Sequence, residues 1–407
     1  MSNPALKKAA TAFLPYGKQV IEEDDVAAVV EALRGDLLTT GPSVTRFEDA
    51  LATTVSAKHA VVCANGTAAL HMAARALNLG PGTKVIVPAI TFLATASAPH
   101  MNGAEIIFAD VDPETGLMGP SELAAAIYRA HDADALFNVH LNGQCGDLED
   151  IAHMARGHGL HIVDDACHAL GTDYVAEDGV KAVGSNAFCD LSVFSFHPVK
   201  TVAMGEGGAV TTNDPAMAKR LIAARNHGMT RESSSFVNVD DAFDGEGNAL
   251  PWYYECHGPE FNWRANDLQC ALGLSQLKKL GRFVARRRAL VAAYDTALAP
   301  YKPLLRPLAR TKNALPGWHL YVARIDFERA GISRAEVMRR MAADGIGTQV
   351  HYYPVHRQPY YAKRYGALTL PGADKYYAQA LSLPLSAGMD ISDVVRVVTA
   401  LARALKI

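Results

Sequence analysis

No stretch of this chain approaches the ~18 consecutive apolar residues that cross a bilayer, so a membrane-spanning helix is not expected. The opening residues, MSNPALKKAATAFLPYGKQV, lack a long apolar core, and no secretory signal is expected there. A dense basic block is also missing. Lys and Arg total 39 against 42 Asp and Glu, a formal charge of −3, which argues against nucleic acid as the main partner. None of the 6 cysteines (Cys63, Cys145, Cys167, Cys189, Cys256, Cys270) falls in a CxxC pair, and no metal-ligand spacing emerges. Scattered cysteines in so large a chain read as reduced, mostly buried thiols. There is no internal repeat and no low-complexity segment. What remains is a globular balance of 49% hydrophobic and 20% charged residues over 407 positions. At about 150 residues per domain that is room for about two to three domains. A cytoplasmic protein with a small-molecule ligand is expected.

From residue 59 onward, β-rich runs alternate with helical patterns. The runs are 59–64 (HAVVCA), 84–87 (KVIV), 105–109 (EIIFA), 135–140 (ALFNVH) and 161–164 (HIVD). Helical composition fills 67–77, 92–100, 121–130 and 148–157 between them. This rhythm predicts a largely parallel sheet with helices on both faces. Runs at 191–196 and 208–212 extend it, and a helix over 215–226 follows. Right-handed crossovers would gather the loops after the strands at one sheet edge. The stretch 232–258, rich in Ser, Asp, Gly and Asn, reads as a long loop. A long helical pattern covers 266–298, and 318–326 (WHLYVARID), a helix and 347–353 (GTQVHYY) suggest a small α+β domain. The expected division is 1–258, a large α/β domain with an N-terminal arm, and 259–407, a linking helix and the small domain.

Three places carry candidate chemistry. Asn65-Gly66-Thr67 lies between a strand and a helix start, where unpaired N–H groups and the helix dipole suit phosphate; a capped βα turn explains the same residues. Asp164 and Asp165 end an apolar strand at the loop edge, suited to function or to capping. Lys200 follows the apolar run LSVFSF through the bend HPV, with GEGG behind it. Alone it is one more solvated lysine. Together, an anion cradle, a carboxylate and an amine in this order on one sheet match what pyridoxal phosphate requires: a seat for its phosphate, a partner for its ring nitrogen, and a Schiff-base amine.

With these residues in view, the chain resembles the DegT/DnrJ/EryC type of sugar-nucleotide aminotransferase, a fold-type I pyridoxal-phosphate enzyme. The segments that carry the resemblance are LPYGKQVIEEDD, LTTGP, NGTAALH, VIVPAITFLATA, FADVD, DDACHALG, VFSFHPVKTVAMGEGGAV, NHG, FNWRANDLQCALGLSQL and VHYYPVH. They lie in order along nearly the whole chain. NVHLNGQCGD, FSFHPVKT, PWYYE, WHLYVARID and QVHYYPVHRQPYY most resemble the pseudaminic-acid branch. That branch aminates C4 of a UDP-4-keto-6-deoxy-N-acetyl-hexosamine.

The resemblance implies a mostly parallel sheet sandwiched by helices, with a smaller α+β C-terminal domain. It makes Lys200 the Schiff-base lysine, Asp165 the partner of the pyridinium nitrogen, and His168 the residue stacked on the ring. Gly66, Thr67 and Ser195 hold the phosphate, and Phe92 packs near the cofactor. Asn262, in FNWR, reaches the phosphate of the neighbouring subunit, so a homodimer with shared active sites is expected. For the nucleotide sugar, Lys18, Thr40, Arg264, His351, Tyr352 and His356 are candidate contacts, with surface, turn or capping roles as the alternative. The chain departs from the family pattern at Asp164, Cys167, Asn142 and Met204. Glutamate is the expected amino donor. A GDP-4-keto-6-deoxymannose aminotransferase of the perosamine type is the rival reading. A sugar dehydratase of the same family is disfavoured, because that branch replaces the lysine that Lys200 retains.

Overall fold

The computed structural model describes residues 12–407. Helices α1 (Glu23–Arg34) and α2 (Pro42–Val55) precede the alternating region. There β1 (His59–Cys63) leads to α3 (Gly66–Ala76), β2 (Lys84–Pro88) to α4 (Leu93–Met101), β3 (Glu105–Ala109) to α5 (Pro120–Arg129), and β4 (Ala135–Val139) to α6 (Leu148–Gly157). β5 (His161–Asp165) follows, then a hairpin of β6 (Asp173–Ala176) and β7 (Gly179–Ala182). β8 (Leu191–Ser195), β9 (Gly208–Thr212) and α7 (Pro215–Arg225) complete this part. The expected strands and helices are present with ends shifted by a residue or so.

The 7-stranded sheet has the order β1-β9-β8-β5-β4-β2-β3. Its pairs are parallel from β8 to β3. β9 runs antiparallel to both β8 and β1. Two reversals restore direction, so β1 runs parallel to β8 and β5. The carboxyl ends of β1, β5 and β8 therefore open at one edge. β4 is buried along its whole length, as a strand covered on both faces must be.

Beyond α7 the expected long loop has a frame. β10 (Met229–Thr230) pairs with β11 (Glu255–Cys256), with the short helix α8 (Val239–Ala242) between them. Glu255 ties this segment together by accepting the N–H groups of Val237 and Asn238 at 2.9 and 2.8 Å. Burial opposes its charge, yet those bonds and His257 hold the carboxyl down at about 2. The single long helix expected over 266–298 is two, α9 (Asp267–Leu277) and α10 (Leu280–Leu298). At the break, Lys279 turns back to Asp24 and Asp25 at 2.6 and 2.8 Å.

The remaining elements are β12 (Leu305–Pro307), β13 (Ala314–Leu315), β14 (Tyr321–Ile325), α11 (Arg334–Ala343), α12 (Pro359–Tyr365), α13 (Pro371–Gln379), β15 (Ala380–Leu383) and α14 (Ile391–Leu405). β12, β14 and β15 form an antiparallel sheet, covered by the apolar face of α14 through Val394, Val397 and Leu401. β13 instead pairs with β6 of the hairpin. The run 347–353 forms no strand; a bridge between Gln349 and Ser382 is its pairing. Core packing changes inside α10. Leu280 and Val284 join Phe47, Phe194 and Phe196, whereas Leu290 and Tyr294 join the C-terminal core. All the cysteines are free thiols; Cys256 is exposed and Cys167 half-buried.

Candidate active site

Three turns at the common sheet edge meet around a cavity of about 880 Å³. The first turn starts α3. Asn65 caps it, its side chain accepting the Ala68 N–H at 2.8 Å. The N–H groups of Gly66 and Thr67 are left without intrahelical partners at the cavity wall. Only glycine fits at 66: a Cβ there would lie 2.9 Å from Ser195 Cβ. The same crowding recurs at Gly208, where a Cβ would sit 2.3 Å from the Asn65 carbonyl oxygen.

The second turn ends β5. Successive strand residues point to opposite faces, which separates the two aspartates. Asp165 faces the cavity. Its Oδ2 accepts from Thr95 Oγ1 at 2.6 Å, and Thr95 in turn accepts from Thr91 at 2.7 Å. Its Oδ1 accepts from the Cys167 N–H at 3.2 Å. Each oxygen keeps acceptor capacity for one more donor. Asp164 lies on the other face, 3.2 Å from His140 Nε2.

The third turn carries Lys200 after β8, its N–H donating to the His197 carbonyl at 2.8 Å. Burial pushes the Lys200 amine below the usual lysine range; Cys167 and Asp165 pull the other way. His168 stands beside it. Its Nδ1 accepts from the Asn142 N–H at 3.3 Å, so a neutral ring carries its proton on Nε2, 3.1 Å from Tyr352 Oη. Burial, then Lys200 and His351, hold His168 well below the ordinary histidine value. His319 packs against it with ring centroids 4.4 Å apart.

An amine, a fixed carboxylate and a helix N-terminus thus share one cavity. Residues 19–402 match the DegT/DnrJ/EryC1/StrS aminotransferase family. The chain belongs to that family. It is 37% identical over 392 residues to the spore coat polysaccharide biosynthesis protein SpsC of Bacillus subtilis, spanning 95% of this chain and 96% of SpsC. Among solved structures it is similar to PseC of Helicobacter pylori, an aminotransferase of pseudaminic acid biosynthesis, at 27% identity and a TM-score of 0.87, covering 97% and 99% of the two chains. The sugar aminotransferase Spr1654 of Streptococcus pneumoniae, solved in PLP form, matches at 26% identity and a TM-score of 0.84, covering 97% and 99%.

As a DegT/DnrJ/EryC1/StrS aminotransferase, the chain is a pyridoxal-phosphate enzyme acting on sugars. Its residues fit the cofactor. The close approach at Gly66 leaves backbone donors for a phosphate, Asp165 has acceptor capacity for a ring N–H, and Lys200 offers an amine displaced toward its neutral form.

Gly66, Thr67, Phe92, Asp165, His168, Ser195, Lys200, His351 and Tyr352 all line the cavity. Lys18, Thr40, Asn262, Arg264 and His356 do not. Lys18, Thr40 and Asn262 are exposed, and Thr40 occupies a left-handed turn at φ 56° beside the start of α2. Arg264 is held by the Asn226 side chain. His356 is buried behind the wall, its ring 6.1 Å from Phe108. Asn142 also stays out of the lining, acting through its backbone at φ 63°, a conformation Asn tolerates. Met204 fills core space against Gly207 and Gly273. The sequence reading missed Tyr16, Thr91, Thr95, Trp263, His319 and Gln349. Of these, Thr91 and Thr95 carried a signal, sitting four apart at the start of a helix whose preceding strand ends at the site edge.

Proposed function

We propose that this chain transfers the amino group of glutamate to C4 of a UDP-linked 4-keto-6-deoxy-N-acetyl-hexosamine, as a cytoplasmic homodimer. The observation that carries this reading is the convergence of Lys200, Asp165 and the α3 N-terminus on one cavity. The choice of sugar is supported by similarity to the Helicobacter pylori enzyme and by NVHLNGQCGD, WHLYVARID and QVHYYPVHRQPYY. A relative in spore coat polysaccharide biosynthesis fits the same chemistry.

When bound, pyridoxal phosphate supplies a carbonyl carbon that exchanges amines and a ring that stores negative charge. Lys200 Nζ would hold that carbon, and as a free amine would move the proton from the donor's Cα; its burial favours the neutral amine this needs. Asp165 would keep the ring nitrogen protonated, and the neutral His168 would offer the ring a face without adding charge. Gly66, Thr67 and Ser195 would hold the phosphate, and Phe92 would pack beside the ring. Asn262, exposed and outside its own cavity, reaches the phosphate in the neighbouring protomer, and Arg264 follows it there toward the nucleotide. His351 and Tyr352 face the sugar.

The test is product formation from glutamate with UDP- and GDP-linked 4-keto-6-deoxy sugars. The UDP-linked 2-acetamido substrate is expected to give the higher kcat/KM. A preference for GDP-4-keto-6-deoxymannose replaces this reading with the perosamine type.

A further inference from the structure

His319 belongs to none of the three turns at the sheet edge, yet its ring lies against that of His168, the centroids 4.4 Å apart and the planes inclined at 48°. It stands two residues before β14, is 4% exposed, and lines the cavity. Burial, then Lys200 and His168, hold it well below the ordinary histidine value, so two neutral rings face each other. Its Nδ1 is buried with no hydrogen-bond partner among the described residues. No hydrogen bond from that nitrogen fixes the ring; its backbone and its packing do.

That backbone is fastened on two sides. The His319 N–H donates to the Asn142 carbonyl at 2.9 Å, while the Asn142 N–H donates to His168 Nδ1 at 3.3 Å. One left-handed residue therefore holds both histidines. At Gly143, φ 91°, a Cβ would lie 2.9 Å from the Trp318 nitrogen and 3.0 Å from the His168 carbonyl oxygen, so the turn needs glycine there. From the other side, Arg287 of α10 donates to the His319 carbonyl at 3.2 Å and to those of Trp318 and Leu385 at 3.3 and 3.2 Å. This guanidinium is 2% exposed, and burial pulls it down to about 10 with no carboxylate to hold it up. A buried cation of this kind is costly. What it does here is tie down the carbonyls that lead into β14.

We propose that His319 is a positioning residue for the cofactor: seated by Asn142 and Arg287, it backs the His168 ring and fixes the plane that this ring presents to pyridoxal phosphate. This rests on the reading of His168 as the residue that faces the cofactor ring. Two hydrogen bonds hold His168, one at Nδ1 and one at Nε2. Both lie in the ring plane, and together they leave the ring free to rock about the line that joins them. A second ring packed on its face removes that freedom. A ring already held still loses little when the cofactor docks.

The test is a double-mutant cycle on the holoenzyme, read by the dissociation constant of pyridoxal phosphate and by the visible circular dichroism of the bound cofactor. His168→Ala should weaken retention and alter the visible band. His319→Ala should weaken retention about 3- to 10-fold, the size of one lost aromatic contact, and diminish the same band. With His168 already alanine, adding His319→Ala should change retention by less than about 2-fold. His319→Phe, which keeps a flat ring, should restore both readouts. Far-ultraviolet circular dichroism checks the fold, and His319→Leu takes the place of the alanine variant in the cycle should that one not fold. Unchanged retention and band on removing the His319 ring, the same weakening in the His168→Ala background, or no recovery in His319→Phe overturns the proposal. If His168→Ala itself moves neither readout, the reading of His168 fails and takes the proposal with it.

Discussion

The two halves of the cavity are built differently. The half that fits the cofactor hangs from the carboxyl ends of β1, β5 and β8, adjacent to one another or joined through β9. Its functional groups make bonds within their own turns, Asn65 to Ala68, Asp165 to Cys167 and Lys200 to His197, and Asp165 adds one to Thr95 of α4. The other half is assembled from the N-terminal arm and residues 349–358. Chemistry common to a family can be carried by local turns on a rigid sheet. Substrate choice is left to segments that meet through tertiary contacts and can vary one at a time.

The sharpest way to break this comparison is at Lys200. Lys200→Ala should abolish turnover and the visible absorbance that borohydride fixes in the wild type, with the circular dichroism of the fold retained. An active Lys200→Ala enzyme would remove the cofactor half from the mechanism. Next comes the pair at the end of β5. Asp165→Asn should lower kcat about 100- to 1000-fold, the usual cost of losing one aimed electrostatic partner. Asp164→Asn faces His140 and should cost far less in kcat. Comparable kcat losses would mean that strand alternation does not divide their roles.

A third prediction concerns the proposed reach of Asn262 into a neighbouring protomer. A hydrogen bond to a charged phosphate contributes about 1.5–3 kcal/mol, so Asn262→Ala should retain cofactor poorly. Co-refolding Asn262→Ala with Lys200→Ala should give activity above the sum of the two separate preparations. One site of the mixed dimer then has both residues intact. No gain would place Asn262 in its own chain's site.

The smallest expected effect is on stability. Burial, with a lesser contribution from Lys200, pushes His351 down to about 3. Below an unfolded value near ~6.5 the unfolded chain takes up a proton that the folded ring refuses, so folding weakens as pH falls from about 6.5 toward 3. At pH 5 this amounts to about 2 kcal/mol. Denaturant unfolding at pH 8 and pH 5 should therefore show a smaller loss in His351→Gln than in wild type. An unchanged difference would mean that His351 is not held neutral in the folded protein.

Most of the large sheet was legible because each strand is a local apolar run ended by polar residues, as at His161–Asp165. So were the residues of the cofactor half, each in a short motif directly after the strand that carries it. Legibility fails where pairing is remote. β13 is two residues long and finds its partner in β6. The run 347–353 forms no strand, and its residues Gln349 to Tyr353 line the cavity. The break between α9 and α10 depends on Lys279 meeting acidic residues of α1. Asn142, a departure from the family pattern, contributes through the backbone N–H it aims at His168. Tyr16 lies in LPYGKQVIEEDD, but its own role was not legible there, since its place is set by remote bonds of the arm to Gly345, Gly347 and Leu385.

β9, the strand set against its neighbours, bears on how the chain comes together during synthesis. β1 lies at the margin of the sheet, and its register runs Cys63 to Gly208. Until β9 has left the ribosome, β1 is a strand without a neighbour, a state in which exposed edges invite wrong partners. The turn that seats the phosphate is thus encoded early but completed late, when Gly208 closes against Asn65. Cofactor capture then follows assembly of the sheet, and a nascent chain ending before β9 carries the motif without the site.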